Sequence, residues 1–401
     1  MSNETMYRQQ IGSTDYPVPA GAAEWQKRAL IVGVVGALVC IAGAVTSLDQ
    51  FMRGYLIAYM FWTGLSLGCL ALLMVQYLSA GLWGLVIRRV LESAAKCLPL
   101  MLLLFLPILV FRTHLYAWMT NPALTERNHW YLNMPGWIIR CLVYFAIWIG
   151  LQVVLSKRGD TQDYPLTGVR PHFQGLSGIG LVVYALTVSF AAVDWIMSLD
   201  PTWGSTIYGL IFVAGQGLSA LAFSVIMLTV FTNSSPYREI IKPMQFHDLG
   251  KLMLAFVMLF AYFSFSQWLI IWAGNLPEEI GWFLHRIRGG WGVVALIIIL
   301  FHFALPFALL LSRERKRDGR RLIGLALLLM VMRLVDIYWY VVPNFAHAQG
   351  HFYLSLWYIV APIGVGGLWL AFFCYNLRQR PLLPAYEPQI PILLHQRGHG
   401  H

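Results

Sequence analysis

The chain has 401 residues, of which 58% are hydrophobic and only 11% charged, and its mean hydropathy is +0.64. Soluble domains carry about 25% charged residues, so this composition excludes a soluble globular protein and leaves a polytopic membrane protein of the all-α class. The formal net charge of +10 is read as a topology signal before it is read as a nucleic-acid footprint.

In chain order, residues 1–28 form a polar segment, and the apolar run 29–48 that follows has no small-residue cleavage site, so it reads as an uncleaved first span. Further apolar runs near the roughly 20 residues that cross a bilayer lie at 54–77, 94–111, 135–155, 176–197, 207–231, 249–272, 290–311, 322–342 and 352–375. Ten transmembrane helices are predicted. The loops 79–93, 112–134 and 156–175 are too short to bury a core of their own. The tail 377–401, with Pro381, Pro384, Pro388 and Pro391, is expected to be irregular.

Of the 28 Lys and Arg residues, Arg53, Arg112, Arg127, Arg286 and Arg288 fall on the side away from the termini, Arg140 and Arg333 lie within spans, and the other 21 share the side of both termini. By the positive-inside rule both termini are cytoplasmic. The run RERKRDGRR, Arg313 to Arg321, admits a nucleic-acid or anionic-lipid reading, but a cytoplasmic loop between two spans explains it better.

The spans carry a repeat. Glu92 and Lys96, Gly136-Trp137 and Val193-Asp194 are answered by His247 and Lys251, Gly290-Trp291 and Val335-Asp336, at offsets of 155, 155, 154 and 142 for Glu92, Lys96, Trp137 and Asp194; Gly64-Leu65-Ser66 is answered by Gly217-Leu218-Ser219. This predicts two parallel four-helix bundles, 49–197 (spans two to five) and 198–342 (spans six to nine), with the first helix, 29–48, and the tenth, within 343–376, as extras. Charges kept in lipid in both halves suggest a path for charge or protons.

Cofactor ligands are scarce. Cys40, Cys69, Cys97, Cys141 and Cys374 sit on five spans without a CxxC pair, arguing against zinc or an iron–sulfur cluster. Of the eleven histidines only His302 lies deep in a span, whereas a bis-histidine haem needs two facing ligands; the terminal HQRGHGH reads as a tail, and no Walker loop or dinucleotide-binding glycine fingerprint is present. Gly64, Gly68, Gly364, Gly366 and Gly367 read as close-packing positions. Aromatic clusters such as Trp118, Trp130 and Tyr131, or Tyr338, Trp339 and Tyr340, read as an interfacial belt in preference to a quinone-stacking surface.

The buried charges say more. Arg333 lies one turn from Asp336 on the same face, and Asp194 and Arg140 share its outer layer. That layer is either a structural charge lock or the outer end of a proton path. His247, Asp248 and Lys251 open the seventh span at the opposite face, where His247 and Lys251 share a helix side and snorkelling keeps a lysine cheap. His302, midway, has an imidazole suited to a relay.

Three stretches carry a family resemblance: HDLGKLMLAFVMLFAYFSFSQWLIIWAGNLPEE from His247 to Glu279, QFMRGYLIAYMFWTGLSLGCLALLMVQYLSAGLWG from Gln50 to Gly84, and RLVDIYWYVVPNF from Arg333 to Phe345. Over essentially its whole length the chain resembles the ActF-type, NrfD/PsrC-like membrane subunit of bacterial alternative complex III. The resemblance implies paired four-helix bundles in the bacterial inner membrane. It also implies a cofactor-free subunit, not catalytic alone, of a quinol-oxidising complex that passes electrons to a cytochrome c or a terminal oxidase. The implied partners are a sister NrfD-like quinol subunit, an iron–sulfur subunit, multihaem and monohaem cytochrome c subunits, small membrane subunits and lipid, with no nucleic acid. Haem c and iron–sulfur clusters then belong to partners, quinol is the substrate of the complex, and this copy serves as scaffold and candidate proton route. The alternative is a stand-alone secondary transporter, although these repeats run in the same direction where many transporters use inverted ones.

Overall fold

The computed structural model describes residues 17–19, 21–126, 128–160, 173–234, 237–345 and 351–383. Most of the predicted N-terminal segment, the stretch 161–172 of the third loop, and the tail from 384, with Pro384, Pro388, Pro391 and the terminal histidines, lie outside them. Among the described residues there is no strand, and ten helices are long and apolar enough to cross a membrane. They are α1 (Ala22–Thr46), α2 (Leu48–Ser79), α3 (Arg88–Val110), α4 (Met134–Lys157), α5 (Phe173–Leu199), α6 (Tyr208–Phe231), α7 (Pro243–Gly274), α8 (Trp291–Leu311), α9 (Gly319–Asn344) and α10 (Trp357–Leu377). The chain is a multi-pass membrane protein. Its start and the end of α10 share one side, called the terminal side; α5 and α9 finish on the distal side.

Helix surfaces identify the solvent. Val45 is 84% exposed, Ile179 69% and Ile31 63%, a burden of apolar side chains that only lipid accommodates. By contrast α2 and α6 are buried along nearly their whole length. A helix apolar all round belongs at the centre of a bundle.

These two helices organise the rest. α2 packs against α3, α5 and α6, while α6 packs against α7, α9 and α5. Their closest approach needs Gly68, because a Cβ there would collide with the backbone carbonyl of Gln216. α1 and α10 clasp each other through Gly33 and Gly36 against Gly367 and Gly364, again backbone on backbone, and α10 rests on α2.

Several elements depart from the sequence reading. α2 and α7 each run 32 residues, about 48 Å at 1.5 Å per residue against a hydrocarbon core of about 30 Å. Hydropathy finds the part in lipid, and the helices continue past it. α3 begins at Arg88, inside the predicted loop 79–93, and most of Leu82–Ala95 is helical and buried. The predicted loop 112–134 folds into three 3-10 turns, Arg112–His114, Ala117–Met119 and Pro122–Thr125. An additional helix, Pro277–Ile287, caps the distal side. α8 widens into a π-helical turn at Ile299–Ala304 just before Pro306; a proline cannot donate to the preceding turn, and the wider turn takes up the mismatch.

Candidate functional site

Two arginine–aspartate pairs lie at the distal ends of α5 and α9. Asp194, fully buried near the end of α5, is gripped by Arg140 from α4: Nε donates to Oδ2 at 2.9 Å and Nη2 to Oδ1 at 2.7 Å. Tyr144, one turn on from Arg140, donates its hydroxyl to Oδ2 at 2.7 Å. The backbone is fixed as well, since the Asp194 carbonyl accepts from Trp137 Nε1 at 3.0 Å and from Ser198 Oγ at 2.7 Å. Arg140 donates its remaining Nη1 to the Tyr131 carbonyl at 3.0 Å, stacks 3.9 Å from the Tyr131 ring and keeps 22% of its side chain exposed. A bidentate guanidinium with a third donor is the geometry of a charge lock.

The second pair is built differently. Arg333 Nη1 meets Asp336 Oδ2 at 2.5 Å within α9, and both side chains are almost wholly buried. The contact is single, and the other Asp336 oxygen accepts no hydrogen bond among the described residues. The Arg333 guanidinium sits in a notch at Gly215 of α6, where any Cβ would displace it, and 5.1 Å over the Phe212 ring. Two charges are enclosed here with far less hydrogen bonding than at Asp194.

His302 lies on the π-helical turn of α8 with no exposure, its ring 4.5 Å from Phe260 of α7, and neither nitrogen has a hydrogen-bond partner among the described residues. An unsatisfied buried imidazole on a π-turn demands an explanation, because both features concentrate at functional places. The π-turn also packs against α9, the helix of Arg333 and Asp336.

On the terminal side His247, Asp248 and Lys251 lie on the first turns of α7, with Asp248 between the other two. Lys251 Nζ lies 3.4 Å from Asp248 Oδ1, while His247 Nδ1 stands off at 3.9 Å. Lys251 is half exposed, so this pair contributes little to stability.

Three features were missed in the sequence. The Arg88–Ala95 segment carries a buried network: Arg89 Nη1 to Glu92 Oε2 at 2.5 Å, Tyr77 OH donating to Glu92 Oε1 at 3.3 Å, Arg88 Nε donating to Gln76 at 3.2 Å, and Arg380 at 3.8 Å from Glu92. On the distal cap, Arg286 is 1% exposed and donates to the carbonyls of Trp282 and Tyr340 and to Asn344 Oδ1 at 2.9 to 3.0 Å, with its guanidinium 3.5 Å over Trp282. Burial pushes this guanidinium down to about 9, against the opposing pull of Tyr208 and Asp200, and it remains a cation at neutral pH. At the α2–α5–α6 junction, Tyr184 OH donates to Gln216 at 2.8 Å beside a cavity of about 10 Å³ lined by Gln216 and Thr63. That is room for about one water. The available signals were Glu92 and Gln216 themselves, polar residues in or beside apolar runs.

The five cysteines are buried and unpaired, and among the described residues no three His, Cys, Asp or Glu side chains converge as a metal site would require. Compared with known proteins, the chain matches no family model and no curated protein.

Proposed function

We propose that the chain is the ActF-type integral subunit of a bacterial quinol:cytochrome c or quinol:oxidase oxidoreductase, set in the inner membrane with both termini in the cytoplasm. It serves as scaffold and as a route for protons, while iron–sulfur and haem c partners hold the redox centres. The observation that carries the reading is the pair of buried arginine–aspartate contacts at the same end of α5 and α9, in helices that the sequence repeat pairs with each other. A poorly hydrogen-bonded ion pair enclosed among transmembrane helices is weak as a structural device, which supports a role beyond scaffolding.

In this reading Asp194 locks α4 to α5, and Asp336 is the group that exchanges a proton at the distal end. His302 and the Gln216–Tyr184–Thr63 cluster occupy the middle of the membrane, and His247, Asp248 and Lys251 the terminal side.

Membership of the complex is tested by purifying the tagged chain in a gentle detergent, identifying what accompanies it by mass spectrometry and recording a haem spectrum. The expected result is co-elution with iron–sulfur and cytochrome c proteins, with c-type haem absorbance. A chain that elutes alone in every detergent and moves a solute in vesicles is a stand-alone transporter.

A further inference from the structure

We infer that a terminal-side cavity between α6, α7 and α9 binds a phosphate-bearing anion, presented as the headgroup of an anionic phospholipid. The cavity holds about 470 Å³, and its lining combines Arg238, Arg317 and Arg320 with the apolar side chains of Ile241, Pro243 and Phe246. It opens where the apolar stretch of α6 ends at Phe231 and where α7 and α9 begin, the depth at which headgroups lie.

Charge is uncommitted there. Asp318 is the one acid lining the cavity among the described residues. It is already engaged, capping α9 by accepting from the Arg320 backbone N–H at 2.9 Å and pairing with Arg321 at 3.2 Å. The side chains of Arg238, Arg317 and Arg320 have no carboxylate partner among the described residues. Asn233 adds an exposed amide to the lining, and the first turn of the long helix α9 directs its positive end to the same place.

Planar guanidinium forks match the two non-ester oxygens of a phosphodiester, and the nearby helix start favours the same charge. The apolar part of the lining decides the source. Hydrated inorganic phosphate gains nothing from Ile241, Pro243 and Phe246, whereas the glycerol and first methylenes of a lipid are covered by them. The inference stands whether or not the chain belongs to an electron-transfer complex.

The test uses the full chain, with the partners that leave the membrane with it, in phosphatidylcholine nanodiscs with or without phosphatidylglycerol, counting retained lipid by native mass spectrometry. Removing one arginine from the lining should lower retention of the anionic lipid about fivefold. Arg320→Gln should show that loss, and Arg238→Gln with Arg317→Gln a loss about fivefold greater again. Arg313→Gln with Arg315→Gln removes the same charge outside the cavity and should retain the lipid as the unsubstituted chain does. Equal losses in the two double variants would reveal a diffuse surface field and overturn the site, as would undiminished retention in Arg320→Gln. Millimolar inorganic phosphate should leave the lipid in place; its displacement would transfer the site to a soluble anion and overturn the lipid assignment.

Discussion

Asp194 and Asp336 occupy matching helix ends but differ in what holds them, and the roles proposed for them rest on that difference. Asp194 has three donors from two side chains, so Asp194→Asn should cost about 3 kcal/mol, the low end for breaking a buried pair because Arg140 can turn toward solvent. Tyr144→Phe, which removes one hydrogen bond to a charged group, should cost about 1.5 to 3 kcal/mol. Thermal unfolding of the purified chain in a fixed detergent checks both, and an unchanged midpoint for Asp194→Asn would remove its role as a lock. Arg333 and Asp336 were legible as a pair because they lie one helical turn apart; Arg140 and Asp194, on different helices, were legible only as sharing a depth. Arg286 was not legible as a buried charge, and Glu92 was legible as a repeat position but not as the centre of a buried network. Both fall outside the apolar runs, and hydropathy says nothing of charges that tertiary packing covers afterwards.

Among the elements, α2 and α6 set the architecture through one close approach. A side chain at Gly68 would meet the Gln216 backbone, which cannot turn aside as a side chain can, so Gly68→Leu should lower stability by at least the 1 to 3 kcal/mol of an overpacked core and reduce the yield of folded protein. Gly324→Ala on α9 meets nothing within 4 Å and should leave yield unchanged. Comparable yields for the two variants, measured by monodisperse elution, would contradict the packing. The existence of all ten helices was legible from apolar run length, and Gly68, Gly364 and Gly367 were legible as contact positions. Helix ends were not, because α2 and α7 extend into polar surroundings where no hydropathy edge marks them. Nor was the π-turn around His302, since its neighbours are uniformly apolar and its cause, Pro306, also fits an ordinary helix start.

At the scale of the whole molecule, the basic residues of the terminal side orient the proposal. Single cysteines at Arg315 and at Ala123 lie on opposite sides and are exposed, while the five native cysteines are buried and compete little for reagent. Impermeant maleimide should label Ala123→Cys in intact cells and Arg315→Cys only after lysis; labelling of Arg315→Cys in intact cells would invert the topology. In the proposed orientation the enclosed Arg333–Asp336 pair stands at the periplasmic end of the proposed proton route, with His302 at its middle, and the sparse hydrogen bonding of the pair is what supports that proposal. The most direct measurement is the number of protons moved per electron by the intact complex in sealed vesicles, compared between the unsubstituted chain and Asp336→Asn. A proton route through Asp336 predicts a well-assembled variant that transfers electrons and moves fewer protons; normal assembly with an unchanged ratio would contradict it.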